Sequence, residues 1–182
     1  MKKIFLIFFF VSIISNAFAK IKNDIIENLS NINNVSFKFE QNINGKVESG
    51  NCIIKYPKKI FCTYNSKSNK VLVSNGRSLV IKTKNSYYIY PLKDTPLNLI
   101  LNKEFLLKKI KNLDERIIDE KLINYNFSEN ENQINLFFDK KTYNLIGWQV
   151  LDIYQNLSIT YINSIIKNKK LKKDLFKLPT RN

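Results

Sequence analysis

The stretch SFKFEQNINGKVESGNCIIKYPKKIFCTYN, Ser36 to Asn65, decides the fold class. Phe37, Phe39, Gln41 and Ile43 fall on alternate positions, with Ser36, Lys38, Glu40 and Asn42 between them. A period of two is that of a strand with one apolar face. Asn44-Gly45 then supplies a tight hairpin turn, because both residues tolerate positive φ. A second corner at Tyr56–Lys59 leaves Cys52 and Cys62 about equally far from it on opposite strands. Alternation gathers Cys52, Ile54, Tyr56, Ile60, Cys62 and Tyr64 on one face, and Lys55 and Thr63 on the other. Three strands joined by short turns predict an antiparallel meander.

The same pattern continues outward. Further strands are expected near 70–74, 78–84 and 86–90, with Asn75-Gly76 marking another hairpin, and near 121–128, 133–138, 146–153 and 157–165. So many antiparallel neighbours predict a curved or barrel-like sheet. Ahead of it, Ile21, Ile25, Leu29 and Ile32 draw a single apolar stripe on a helix. Between the two runs of strands, DTPLNLILNKEFLLKKIKNL (Asp94–Leu113) breaks the pattern. Thr95 is suited to an N-cap and Pro96 to the first helical position. Leu97, Ile100, Leu101 and Phe105 fall at helical spacing, joined by Leu106, Leu107 and Ile110. The segment is apolar on more than one side, as one helix or as two short ones broken near Asn102. It reads as an ordinary core helix or as a lid over a greasy cavity in the sheet.

The start, MKKIFLIFFFVSIISNAFA, combines Lys2 and Lys3, a short apolar run and an Ala17-Phe18-Ala19 cleavage signature. These are the parts of a secretory signal peptide, and the run falls short of the roughly 20 residues that span a bilayer. The expected division is a cleaved segment 1–19 and a single exported domain over 20–182. Without Lys2 and Lys3 the formal charge falls from +15 to +13. A basic field favours anionic partners, but the lysines are scattered apart from Lys167–Lys173, and an exported destination argues against nucleic acid.

Catalytic constellations are missing. The chain has no histidine, which removes the commonest general base, histidine-ligated zinc and the Ser-His-Asp arrangement. Two cysteines without C-x-x-C spacing make neither a zinc site nor a redox motif, and no Gly-rich phosphate loop exists. Asp114, Glu115, Asp119 and Glu120 read as a solvated charged stretch. The expectation is a protein that is not an enzyme and carries no cofactor or metal. Aromatic and branched residues on a curved sheet could instead form a packed core or a pocket for acyl chains. The predicted cavity wall is Phe37, Phe39, Ile54, Tyr56, Ile60, Val71, Val73, Leu79 and Ile81, capped by Leu97, Ile100, Leu101 and Phe105.

An ordered set of motifs resembles the periplasmic outer-membrane lipoprotein carrier (LolA) family. It comprises Phe39 and Gln41, Gly50 to Pro57, Val71 to Val80, Tyr90 to Leu101, Asp139 to Trp148, and Leu175 to Pro179. The resemblance runs from about residue 21 to 179. It implies an incomplete antiparallel β-barrel covered by short helices. It also implies a monomer that takes triacylated lipoproteins from an inner-membrane ABC transporter to the outer membrane, with or without a receptor there. A half-barrel sensor or interaction protein, or a glycolipid carrier, is the alternative on the same architecture. The family commonly places an arginine before the hairpin proline to pin the lid. This chain has Tyr56 there, which lacks the guanidinium's charge and fork of donors.

Cys52 and Cys62 admit three readings: redox or metal site, staple, or packing. In an oxidising periplasm a facing pair on adjacent strands is expected to bridge.

Overall fold

The computed structural model describes residues 20–129, 132–151 and 154–181; the expected signal peptide, 1–19, lies outside them. Its first element is a helix, α1 (20–30). Six strands follow: β1 (Asn34–Ile43), β2 (Lys46–Lys55), β3 (Lys59–Tyr64), β4 (Val71–Asn75), β5 (Ser78–Lys82) and β6 (Tyr87–Pro91). After a turn of 3₁₀ helix at Leu92–Asp94 come α2 (Leu97–Ile100) and α3 (Lys103–Asn112). The chain closes with β7 (Arg116–Ile118), β8 (Leu122–Glu129), β9 (Asn132–Asp139), β10 (Leu145–Leu151) and β11 (Leu157–Lys167).

All the strands form one antiparallel sheet in the order β6-β5-β4-β3-β2-β1-β11-β10-β9-β8-β7. Its edges, β6 and β7, do not pair with each other, so the sheet is a curved half-barrel. Neighbouring strands are consecutive in the chain except where β1 meets β11. That pairing brings the two halves of the chain together along Phe39↔Ile162 and Gln41↔Thr160.

The turns follow their residues. Asn44 and Gly45 both have positive φ (49° and 84°), as a two-residue hairpin turn requires. At the second Asn-Gly only Gly76 does, and the Asn75 side chain instead accepts from the N–H groups of Arg77 and Ser78. Gly50 has a different task. A Cβ there would lie 2.0 Å from the Thr63 carbonyl oxygen and 2.8 Å from the Phe39 ring, so glycine is what lets the rings of Phe39 and Tyr64 meet edge-on, centroids 5.0 Å apart.

The concave face is filled unevenly. Over β7–β9, α1 and α3 lay down their apolar sides. Ile25 and Leu29 from α1, and Leu106 and Ile110 from α3, are buried together with Ile123, Tyr125, Phe127, Ile134, Leu136 and Phe138. Phe105 packs edge-on to Phe127, and Lys109 forms an ion pair with Glu129 at 2.7 Å. Glu115, expected in a solvated stretch, is instead buried beside Lys22 at 3.7 Å, whereas its neighbour Asp114 is exposed. Burial and the nearby Glu115 carboxylate together raise the Tyr125 hydroxyl's pKa.

On the convex face the chain beyond β11 makes a strap. It turns at Asn168, whose side chain accepts from the Asn33 N–H and donates to the Asn31 carbonyl. Its far end is held by Lys82, whose ammonium donates to the Thr180 carbonyl at 2.8 Å. Leu175, Phe176, Leu178 and Pro179 in this strap are partly buried.

Candidate functional site

A cavity of about 520 Å³ opens on the concave face where the helices do not fill it. Strand register orders its wall from one end of the barrel to the other. At the lid end lie Ile60, Leu79, Thr95, Pro96, Leu97 and Ile100. The middle band is Phe37, Cys52, Cys62, Leu72, Ile81 and Tyr88, and the Trp148 ring reaches Phe37 edge-on at 6.3 Å. At the hairpin end stand Gln41, Lys46, Glu48, Ser68, Lys70, Thr83 and Tyr154. The space is apolar at the lid and in the middle, and polar at its mouth.

The predicted wall divides into three groups. Phe37, Phe39, Ile60, Leu79 and Ile81 line the cavity. Ile54 and Tyr56 share their face but lie beneath the lid, outside the open space. Ile54 is buried in the core, and Tyr56 is partly buried against it. Val71 and Val73 point to the convex side, which corrects the expectation. The tight turn at Gly76 sets Ser74 opposite Leu79, Val73 opposite Val80 and Leu72 opposite Ile81. Facing residues share a side, so Leu72 is the cavity residue. Val73 and Val80 are nonetheless buried, on the face crossed by the C-terminal strap. A continuous apolar run such as Val71-Leu72-Val73 is what a strand covered on both faces requires.

Of the lid residues, Leu97 and Ile100 face the cavity. Leu101 is fully buried, and Phe105 belongs to the packed half through Phe127. The break at Asn102 is real: its side chain caps α3 by accepting from the Phe105 N–H at 3.3 Å. Thr95 does not cap α2, because its hydroxyl donates to the Leu92 carbonyl at 2.8 Å. Two polar ties hold the lid down. The Lys58 N–H, in the Tyr56–Lys59 hairpin, donates to the Leu101 carbonyl at 2.9 Å. Lys103, at the start of α3, donates to the carbonyls of Ser30 and Ile32 at 2.8 and 2.9 Å, and its ammonium sits 5.8 Å from the centre of the Tyr56 ring. A cation on carbonyls at a helix C-terminus is favourably placed. The positive charge expected from an arginine before the proline is thus supplied from the other side, by the lid itself. Burial pushes the Tyr56 hydroxyl up to about 12, so it stays protonated.

Cys52 and Cys62 face each other across β2 and β3, and form a disulfide with Cα atoms 4.1 Å apart. Both are buried in the cavity wall. Among the described residues, no three His, Cys, Asp or Glu side chains gather as a metal site.

The polar mouth was not foreseen. Gln41 reaches across to β11, donating to Ser158 and Thr160 at 3.0 and 3.2 Å. Glu48 accepts from Lys70 at 2.5 Å and has Lys46 at 3.8 Å. Lys70 also stands 4.1 Å above the Tyr64 ring. The signal lay in the hairpin register, which puts positions 41, 46 and 48 on the face of Phe37 and Phe39. Tyr90 and Tyr154 share a hydroxyl hydrogen bond at 3.1 Å between the β6 edge and the β10–β11 loop.

A curved, open antiparallel sheet that cups an apolar cavity beneath short helices defines a half-barrel binding protein. The chain belongs to the LolA family: the family model described as outer membrane lipoprotein carrier protein LolA matches residues 30–179. No curated protein sequence is a significant match. Among solved structures the chain is similar to an uncharacterized conserved protein from Thermus thermophilus, with 10% identity and a TM-score of 0.52 over 90% of this chain and 94% of that one. It aligns more loosely with a LolA superfamily protein from Nitrosomonas europaea (8% identity, TM-score 0.44, 86% and 97% covered). The same holds for the Mycobacterium tuberculosis lipoprotein LppX (12%, 0.48, 86% and 99%). The Thermus likeness extends to the fold alone, and the other two carry no further weight. Family and fold together support a lipid- or lipoprotein-binding role, in a family of carriers and binding proteins rather than enzymes. No helix among the described residues is long and apolar enough to cross a membrane.

Proposed function

We propose that the protein is a periplasmic carrier, exported by cleavage after Ala19, with one carrier domain over 20–182. It receives triacylated lipoproteins released by an inner-membrane ABC transporter and holds their acyl chains under the lid. It then delivers them to the outer membrane, at a receptor or at the lipid surface. The observation that carries this reading is the cavity walled by Phe37, Phe39, Leu72, Leu79 and Trp148 beneath Leu97 and Ile100, in a chain of this family. Each methylene transferred into such a space contributes about 0.8 kcal/mol, so acyl chains bind tightly without catalytic chemistry. Opening requires only that α2 lift from the sheet, with the Lys58 and Lys103 ties released.

The test is release from spheroplasts. The purified mature protein, added outside, should accumulate an acylated lipoprotein in a soluble one-to-one complex that gel filtration resolves. If no acylated protein is taken up while a soluble domain of some envelope protein binds without its lipid, the carrier reading fails in favour of a sensor. Uptake of glycolipid alone would instead make it a glycolipid carrier.

A further inference from the structure

The hairpin end of the cavity carries charge that an acyl chain does not need. Among the described residues lining it, the charged side chains are Lys46, Glu48 and Lys70, two ammoniums against one carboxylate. Glu48 and Lys70 are each about four-fifths buried, with side-chain exposures of 17% and 20%. A surface ion pair contributes little to stability, and a largely desolvated one is costly to build, so stability alone gives no reason for this pair at the rim of an apolar pocket. Gln41, Ser158 and Thr160 add hydrogen-bonding groups on the facing wall. Moving from the lid toward the mouth, the wall therefore changes from aromatic and aliphatic to polar with a net positive charge.

At about 520 Å³ the cavity is of the size that takes a small ligand. The geometry points to a ligand class for the closed state: an anionic amphiphile, its chain along Phe37, Phe39 and Leu72 toward the lid. Its phosphate or carboxylate sits at the mouth between Lys46 and Lys70, in the place where Glu48 now holds them. This rests on the lipid-binding reading of the cavity, and adds that the closed form selects by head-group charge. Glu48 acts as a stand-in anion that an incoming head must displace.

The probes are three lipids with one identical chain: lysophosphatidylglycerol (anionic), lysophosphatidylcholine (zwitterionic) and monoacylglycerol (neutral). Each is titrated below its micellar concentration into the intact mature protein, with displacement of a fluorescent fatty-acid analogue as the readout. The anionic lipid should bind at least tenfold more tightly than the neutral one, with a preference that shrinks as salt rises. Lys70→Met should reduce that preference several-fold. Glu48→Gln should increase it by removing the competing carboxylate. Inorganic phosphate alone should not displace the probe, because it has no chain. Equal affinities for all three lipids, or a preference unmoved by both substitutions, overturns the head site and leaves the carrier reading untouched. Conversely, failure of lipoprotein capture from spheroplasts sinks the carrier reading without altering the ranking of these lipids.

Discussion

The two halves of the concave face are built from the same kind of strand, yet one is solid and the other hollow. Over β7–β9 the alternating inward residues Ile123, Tyr125, Ile134, Leu136 and Phe138 are fully covered by α1 and α3. Over β1–β6 the equivalent residues, Phe37, Phe39, Leu72, Leu79 and Ile81, face the cavity. The difference lies in the helices rather than the sheet. α3 runs across the far strands, anchored by Phe105 on Phe127 and Lys109 on Glu129, whereas the near strands receive only the four-residue α2. A short helix covers one end of the curved wall and leaves the rest open. One half thereby supplies the stability and the other is free to bind.

The largest effects should separate the halves. Phe138→Ala should destabilise by about 3–5 kcal/mol, the range for a fully buried aromatic. Leu72→Ala, at a wall that already borders empty space, should cost about 1 kcal/mol or less while weakening lipid uptake. Equal losses in chemical denaturation would show that the cavity is closed in solution. Next in size is the disulfide. Closing a loop of this length contributes somewhat under ~3 kcal/mol, so reduction of the Cys52–Cys62 bridge should lower Tm by roughly 5–10 °C. The loss should appear in the hollow half first, seen as amide exchange rising in β2 and β3 before β8 and β9. An unchanged Tm under reductant would mean that the wall needs no staple.

Smaller effects concern the seam between the halves. Lys103→Met removes donors from two carbonyls at the end of α1, and should cost about 1–2 kcal/mol, as for hydrogen bonds to a charged group. It should also speed entry of a lipophilic dye several-fold in stopped flow. An unaltered entry rate would assign lid closure to the apolar side of α2 and α3 alone. Smallest is Asp139, in the turn leading to β10. Hydrogen bonds from Thr142, chiefly from its hydroxyl, hold this carboxyl below the usual range. A lowered folded pKa adds stability that is present above the unfolded pKa near 3.9 and is lost as pH falls through the folded value. Asp139→Asn should therefore lower Tm slightly at neutral pH, with the gap closing in acid. A gap that persists at low pH would locate the effect in packing of the turn.

Much of this architecture was readable before any coordinates. Period-two alternation and Asn-Gly turns placed β1–β5, and the two-sided apolar segment after Asp94 gave the lid helices and their break at Asn102. β7, only three residues long, left no periodic signal. The cavity wall was legible where a single strand decided it, as at Phe37, Phe39 and Ile60. It was misread at Val71 and Val73, where the answer depended on how one turn sets the register of two strands. The lid's cationic tie could not be placed by position either: the sequence showed an arginine missing at Tyr56, but not that Lys103 arrives from elsewhere in the chain.

By itself, then, the sequence determined the local geometry: which segments alternate, where they turn, which helix is greasy on two sides, and that two cysteines face each other across a hairpin. These follow from short-range sterics and the period of side chains along one element. Only the tertiary structure decided which part of the sheet stays hollow, which face the strap covers, and that Gln41 meets Ser158 and Thr160 at the mouth. Those outcomes depend on curvature and on the β1–β11 pairing, contacts between residues more than a hundred positions apart, for which no local pattern carries a signal.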